Sequence, residues 1–470
     1  MKTLYRDNKG LHRWLFACGA VLVLFYLFRG NRAAVNFWVY SVTLPFEQFL
    51  GRACAALPFS VAELLYVLAA VTAVVLLVLM VRYLIKSRQK GRAAYRCALF
   101  VLDLFLTVYA AFSLLWGANY YADDFCDRSG LSPEPVAYED LVRVTQYFAD
   151  HLAEASTHIA RDENGLFTAD RQKILDYADT VYDCLYDEFP FLDMPDQKPK
   201  GIFFSKIMSA MNFTGFYFPF TGESNVNMDS PAMLLASTCA HELSHQRGIS
   251  SEQQSNFLAI LACTRCDDAN YNYAGWMLGY IHLGNALYRV DPDAWQQIRD
   301  SLPDEIVLDL RYNSAYWAQY KGLTATVTQS LNDKMIKSYG DELGTQSYGA
   351  VVDLLVNYYA LALLVSRYDF KNSLVRSCCG FSKTCSGLPC STMTPPSRNT
   401  TRSLTARAKG ISCVTMTIVM CSSARERMTR STSPVSSGSS AEVGSSKKRI
   451  SGFIASARAM ATRCCCPPES

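Results

Sequence analysis

"CAHELSHQRGISSEQQSNF", residues 239–257, sets two histidines four apart with a glutamate directly after the first. On a helix, positions i and i+4 lie on one face about one turn apart. His241 and His245 can therefore reach a single ion at the roughly 2.0–2.1 Å of a zinc–nitrogen bond. Glu242 is rotated by about 100° from His241; it is badly placed to ligate but well placed to take a proton from a water beside the ion. A metal that acidifies water and a carboxylate that serves as general base make up the zinc-hydrolase pattern. Five residues also spell this pattern by chance in ordinary helices, so the flanking sequence decides.

The lead-in "AMLLASTCA" (232–240) is apolar, which predicts a buried helix, where two histidines and a glutamate are costly without partners. The whole chain has six histidines, so the pair is not drawn from a histidine-rich background. Gly248 supplies a helix-ending turn that can bring Glu252 back as a third protein ligand. Equally, an acid in the first turn of the next helix, beside Ser250 or Ser251 as cap, complements the helix dipole. Asn256, one turn later on the same face, is a candidate to orient a ligating histidine, or it only caps or packs.

Upstream, residues 201–231 are aromatic, rich in Gly and Asn, and punctuated by Pro219 and Pro231. That composition predicts an extended strand with turns and no helix. Its segment "GFYFPFTGESNVN" (215–227) is placed to be an exposed edge along which a peptide adds as a strand. Glu223, Asn225 and Asn227 are candidates for contacting substrate or shaping the site, or are the turn residues that Pro219 and Gly222 imply. His282 and Tyr348 are candidate oxyanion donors by residue type alone. Cys263 and Cys266 form a lone CxxC that reads as packed small side chains.

Charge divides the chain into three segments. Residues 1–117 carry 13 basic and 4 acidic side chains, 118–370 carry 17 and 35, and 371–470 carry 15 and 3. The acidic middle segment argues against a nucleic-acid partner. The first segment reads as membrane, with apolar stretches at 14–28, 64–81 and 97–117, two of them near the roughly 20 residues that cross about 30 Å of hydrocarbon. Asp103 lies a few residues inside the third stretch and can reach the cytoplasmic interface. Lys2, Arg6, Lys9 and Arg13 before the first stretch, and Arg82, Lys86, Arg88, Lys90, Arg92 and Arg96 between the second and third, stay in the cytoplasm by the positive-inside rule. Three crossings then place residues 118–370 outside the cell membrane.

That segment predicts one compact, mainly helical domain. Leu141, Val144, Phe148 and Leu152 share one helical face, Ile174, Ala178, Val181 and Leu185 repeat the pattern over 171–188, and 347–365 closes the domain as an apolar helix. From about Lys371 periodicity and acids disappear and nine of the 17 cysteines appear. Such a tail is expected to be disordered, and its abrupt onset suggests translation in a shifted reading frame.

The run "GFYFPFTGESNVN…CAHELSHQRGISSEQQSNFLAILAC", with "SYGAVVDLLVNYY" further on, resembles the bacterial membrane family called domain of unknown function 3810, from the N-terminus to about Tyr359. The resemblance implies three N-terminal spans and a zincin-like metallopeptidase domain with its motif at His241, Glu242 and His245, a following glycine at Gly248, and Glu252 as the first acid of an "EDEANF"-like run. Here the second and third acids of that run are Gln253 and Gln254.

Together these readings predict a membrane-anchored, mainly α protein with three N-terminal transmembrane helices and a mostly helical zincin-like domain carrying a short edge strand or β-hairpin, then a disordered tail. The expected function is a zinc-dependent metallopeptidase with Zn2+ held by His241, His245 and Glu252, Glu242 as catalytic base, and a peptide or protein substrate. The competing expectation is a catalytically silent envelope sensor or scaffold of the same fold.

Overall fold

Three helices in the computed structural model are long and apolar enough to cross a membrane: Lys9–Phe28, Val61–Lys86 and Lys90–Leu115. The structure describes residues 2–322, 326–328, 330, 334–335 and 349–360. Large apolar side chains such as Phe16, Leu27, Val74, Leu77 and Phe105 are mostly exposed on these helices. Apolar surface on that scale is a liability in water and is matched by lipid tails; the chain is a membrane protein. The first and third helices are joined through polar contacts, from Trp14 Nε1 to Thr107 Oγ1 at 2.7 Å and between the Tyr26 and Tyr109 hydroxyls at 2.7 Å. Asp103 is buried in this packing, and neither of its carboxylate oxygens is hydrogen-bonded.

Between the first two spans lies an element that periodicity alone did not single out. Helix Arg32–Trp38 runs through a π-helical turn, Val39–Thr43, into helix Leu44–Ala55. This connecting helix packs at close range on the sheet of the domain that follows the spans. A Cβ on Gly222, whose φ is +66°, would sit 2.0 Å from the Glu47 carbonyl oxygen, and one on Gly51 would sit 2.7 Å from the Gly222 carbonyl oxygen. Only glycine at both positions allows the two backbones to touch, and only glycine is at ease at that φ.

The sheet has three strands, β1 (Lys200–Ile202), β2 (Gly215–Phe218) and β3 (Glu223–Asn227), in the order β1-β3-β2. β1 runs parallel to β3, with Lys200 opposite Asn225, and β2 runs antiparallel to it, with Gly215 opposite Val226. The stretch 215–227 is thus a hairpin of which only β2 is an edge. β3 is central and buried along its whole length, because it is sandwiched between two strands and covered by a helix. Nor is 201–231 free of helix, since Ser205–Ala210 forms one to bury Met208 and Ser209.

Behind the sheet, helix Tyr138–Ser156 buries Leu141, Val144, Phe148 and Leu152 as its spacing predicts. It lies along helix Ala269–Val290, where a Cβ on Gly279 would meet the Phe148 ring at 2.1 Å. The helix expected over 171–188 ends at Tyr177 and continues as two short 3-10 turns, Ala178–Thr180 and Asp183–Leu185. Its apolar positions are still buried. The Thr180 hydroxyl donates to the Tyr177 carbonyl at 2.9 Å, the local side-chain bonding by which Thr and Asp compete with a regular helix.

Contacts group Met1–Val356, spans and sheet together, as one unit, with Asn357–Ser470 as another. Residues 349–360 are helical; Tyr348, the end of the 347–365 segment and the 371–470 tail lie outside the described residues.

Candidate metal centre

The motif falls on helix Leu235–Gln246, which the sheet and the neighbouring helices bury. Ser224 of β3 donates its hydroxyl to the Glu242 carbonyl at 2.8 Å, and Gln246 Nε2 donates to Ser224 Oγ at 3.0 Å, so the central strand fixes the helix in depth and rotation. The helix ends in a Schellman motif: Gly248 N–H bonds the His245 carbonyl at 2.9 Å and Ile249 N–H bonds the Ser244 carbonyl at 3.3 Å, with Gly248 at φ +78°. Arg247, wholly buried, clamps this end. Its guanidinium pairs with Asp196 at 2.7 Å, donates to the Leu192 carbonyl at 3.1 Å, and lies over the Tyr182 ring at 3.8 Å.

The turn delivers helix Glu252–Arg265 with its first residue facing the histidines. Ser251 occupies the cap position without a side-chain cap bond, and Glu252 is the acid of the first turn. Its Oε2 lies 3.2 Å from His241 Nε2 and its Oε1 3.7 Å from His245 Nε2. The three donor atoms lie within 4.8 Å of one another.

Both imidazoles are oriented through their other nitrogen. His241 Nδ1 pairs with Asn256 Oδ1 at 3.0 Å, and His245 Nδ1 with the Ile249 carbonyl at 2.7 Å. Both partners are acceptors, so each Nδ1 carries a proton and each Nε2 is the ring atom turned toward Glu252. Trp116, just past the third span, presents an edge-to-face contact to His245 at 5.8 Å and packs on Tyr217 at 5.1 Å. Tyr217 in turn donates to the buried Glu47 of the connecting helix at 3.1 Å.

Glu242 is buried, and its Oε2 has no hydrogen-bond partner. Its other oxygen lies against Gly215 of β2, where a Cβ would be 2.5 Å away. The pocket opens on the Glu252 side, whose side chain is 37% exposed, against 14% for His241 and 7% for His245.

Electrostatics without an ion follow from this packing. Burial pushes the Glu242 carboxyl up to about 8 and the His245 imidazole down to about 4. Burial also works against a charge on His241, but the hydrogen bond and charge of Glu252 outweigh it and hold His241 up at about 9. Burial likewise opposes charge on Glu252, and the two histidines overcome it to hold that carboxyl down at about 2. A proton therefore bridges His241 and Glu252 where a cation would otherwise sit.

The donor set fits such a cation. Two imidazole nitrogens and a carboxylate within 4.8 Å of one another are the donor types that a divalent transition-metal ion takes.

The remaining sequence candidates lie elsewhere. Glu223, Asn225 and Asn227 are buried and bonded within the chain. Glu223 accepts from Lys200 Nζ at 2.8 Å and from the backbone of Val61 and Ala62, Asn225 accepts from the Ser60 hydroxyl at 2.6 Å, and Asn227 donates to Ser209 Oγ at 2.8 Å. They tie β3 to its surroundings. Gln254 bonds Phe125 N–H and Asp124, away from the histidines. His282 is buried close enough to His241 for their charges to interact, and burial drives it down to about 4. Cys263 and Cys266 are free thiols, the former packed against Gly275.

Fold and centre together define a membrane protein carrying a His–His–Glu group, in which His245 is buried, beside a buried carboxylate with an unpartnered oxygen. Residues 39–356 match the model of the family described as "Protein of unknown function (DUF3810)", and the chain belongs to that family. No curated protein and no solved structure matches it.

Proposed function

We propose that this protein is an integral-membrane, zinc-dependent metallopeptidase whose zincin-like domain lies outside the cytoplasmic membrane. The observation that carries the reading is the convergence of two Nδ1-protonated imidazoles and Glu252 beside a carboxylate with a free oxygen. His241, His245 and Glu252 would hold the metal, which when bound polarises a carbonyl and makes a water acidic enough to attack it near neutral pH. Glu242 accepts the water's proton at its unpartnered Oε2 and passes it to the leaving amine; a buried carboxyl with a raised pKa suits both halves of that transfer. Asn256 and the Ile249 carbonyl hold the imidazole planes and tautomers. β2 offers the free edge along which an extended peptide can pair, and Gly215 lets that backbone approach Glu242 closely. The cationic segments before the first span and between the second and third support an outward-facing domain.

The test uses the full-length chain in detergent or nanodiscs. Metal content and digestion of a peptide library are compared for the unmodified protein, Glu242→Gln, and a His241→Ala/His245→Ala pair. Stoichiometric zinc in the first two, cleavage by the first alone, and no zinc in the third are expected. Zinc without cleavage would instead mark a peptide-binding sensor, and absence of stoichiometric metal would sink both readings.

A further inference from the structure

The second span is fastened to the outer domain at the level where it leaves the membrane. About 20 residues cross roughly 30 Å of hydrocarbon; counted back from Val81, just before Arg82 and Lys86, they place the opposite boundary near Ala62 and Glu63. Ser60 caps the helix there by accepting Glu63 N–H at 3.0 Å. Glu63 in turn accepts the backbone N–H groups of Phe203 and Phe204 at 3.1 and 2.8 Å. These two residues, between β1 and helix Ser205–Ala210, are thereby held at the depth of the span's first turn.

Their side chains find no cover in the domain. Phe203 is 86% and Phe204 45% exposed, the rings edge-to-face at 5.1 Å, and Ile207 on the short helix is 57% exposed. Leu57 and Phe59, in the loop leading to the span, are exposed as well, and that loop is tied to β1 because Lys200 Nζ donates to the Phe59 carbonyl at 2.9 Å. Exposed Lys206 sits between Phe204 and Ile207, with a stem long enough to carry its charge to a headgroup. Apolar and aromatic side chains at a span's end, with a cation among them, are the composition of a membrane-interface belt.

We infer that Phe203, Phe204, Ile207, Leu57 and Phe59 form a collar seated in the acyl–headgroup boundary of the leaflet on the domain's side. The collar fixes the height of the sheet over the bilayer independently of whether the metal centre is catalytic. Lipid is the occupant because Glu63 and Lys200 tie these residues to the span itself, where it leaves the hydrocarbon.

The full-length protein tests this in phosphatidylcholine vesicles, with Phe203→Trp and Ile207→Trp made separately. The six native tryptophans of the unmodified protein give the baseline, and identical melting curves establish that each variant is folded. In vesicles of acyl-chain-brominated lipid, most of the emission added by each new tryptophan should be lost, and in unbrominated lipid that emission should be blue-shifted. An added emission like that of a tryptophan in water overturns the inference. So does a blue-shifted emission that brominated lipid leaves untouched, since the collar would then be covered by protein.

Discussion

At the scale of single residues, the convergence of the two histidines was legible because it depends on helical spacing, which the sequence states outright. His241, Glu242 and His245 needed only the 3.6-residue period. What stands around them was illegible, since it is set by neighbours far apart in the chain. Gly215 is the clearest instance: nothing at position 215 announces that its missing Cβ would lie 2.5 Å from Glu242 Oε1 and 2.9 Å from the Asn225 carbonyl. Gly215→Ala must displace Glu242 or pry the hairpin open, and a displacement of about 1 Å can cost on the order of 10²-fold in turnover. The variant should bind metal as the parent does and cleave peptide about 10²-fold more slowly; a variant as active as the parent would show that Glu242 is not the group acting there. A second prediction concerns protons. His241 is held up at about 9 in the metal-free protein by Glu252, from an ordinary 6.5, so at neutral pH it carries a proton that a metal must expel. Metal affinity should rise as pH rises toward about 9. Calorimetry in buffers of different ionisation heat should register at least one proton released per ion, and Glu252→Gln should reduce that release. Binding with no proton release would mean that the metal enters elsewhere.

At the scale of elements, amphipathic helices were readable where one face meets one neighbour, as in Tyr138–Ser156. They were misread where local bonding interrupts the ladder, as after Tyr177. The hairpin was half legible: its aromatic composition marks extended chain, but which strand lies at the edge depends on β1 pairing from 13 residues before β2 begins. The turn after the motif helix does two jobs at once. Gly248 at φ +78° ends the helix and presents the Ile249 carbonyl to His245 Nδ1. A Cβ there would meet only Leu44 methyls, at 3.5 and 3.6 Å, an ordinary contact, so the cost of Gly248→Ala is conformational, roughly 1–2 kcal/mol. The variant should melt at a lower temperature and bind zinc more weakly, because a relaxed turn withdraws the acceptor that fixes the imidazole. Gly248→Asn, better suited to left-handed backbone, should recover part of both. Unchanged melting and affinity in Gly248→Ala would show that the turn is not under that constraint.

At the scale of the molecule, charge and hydropathy suggest a cut at Gly117, with three spans before it and a self-sufficient domain after. Contacts cross that cut. Glu223 and Asn225 of the central strand bond to Ser60, Val61 and Ala62 at the start of the second span, Tyr217 bonds Glu47, and Trp116 at the end of the third span touches both Tyr217 and His245. The connecting helix meets the hairpin through two glycines. The family match agrees in starting at residue 39, ahead of this helix, and not at the end of the spans. A fragment spanning 118–370 would leave the Asn225 side chain without its Ser60 partner and the apolar flank of the sheet bare. Each buried polar group so stranded costs about 1–3 kcal/mol, against a total stability of only about 5–15 kcal/mol for a typical domain. The fragment should therefore aggregate or lack a cooperative melt, and it should bind zinc substoichiometrically, whereas the full chain in nanodiscs melts cooperatively and binds one ion. A fragment that melts cooperatively with one zinc bound would show that the spans serve only as an anchor. The expected failure would show instead that the second and third spans, and the segment joining the first span to the second, are structural walls of the candidate metal centre.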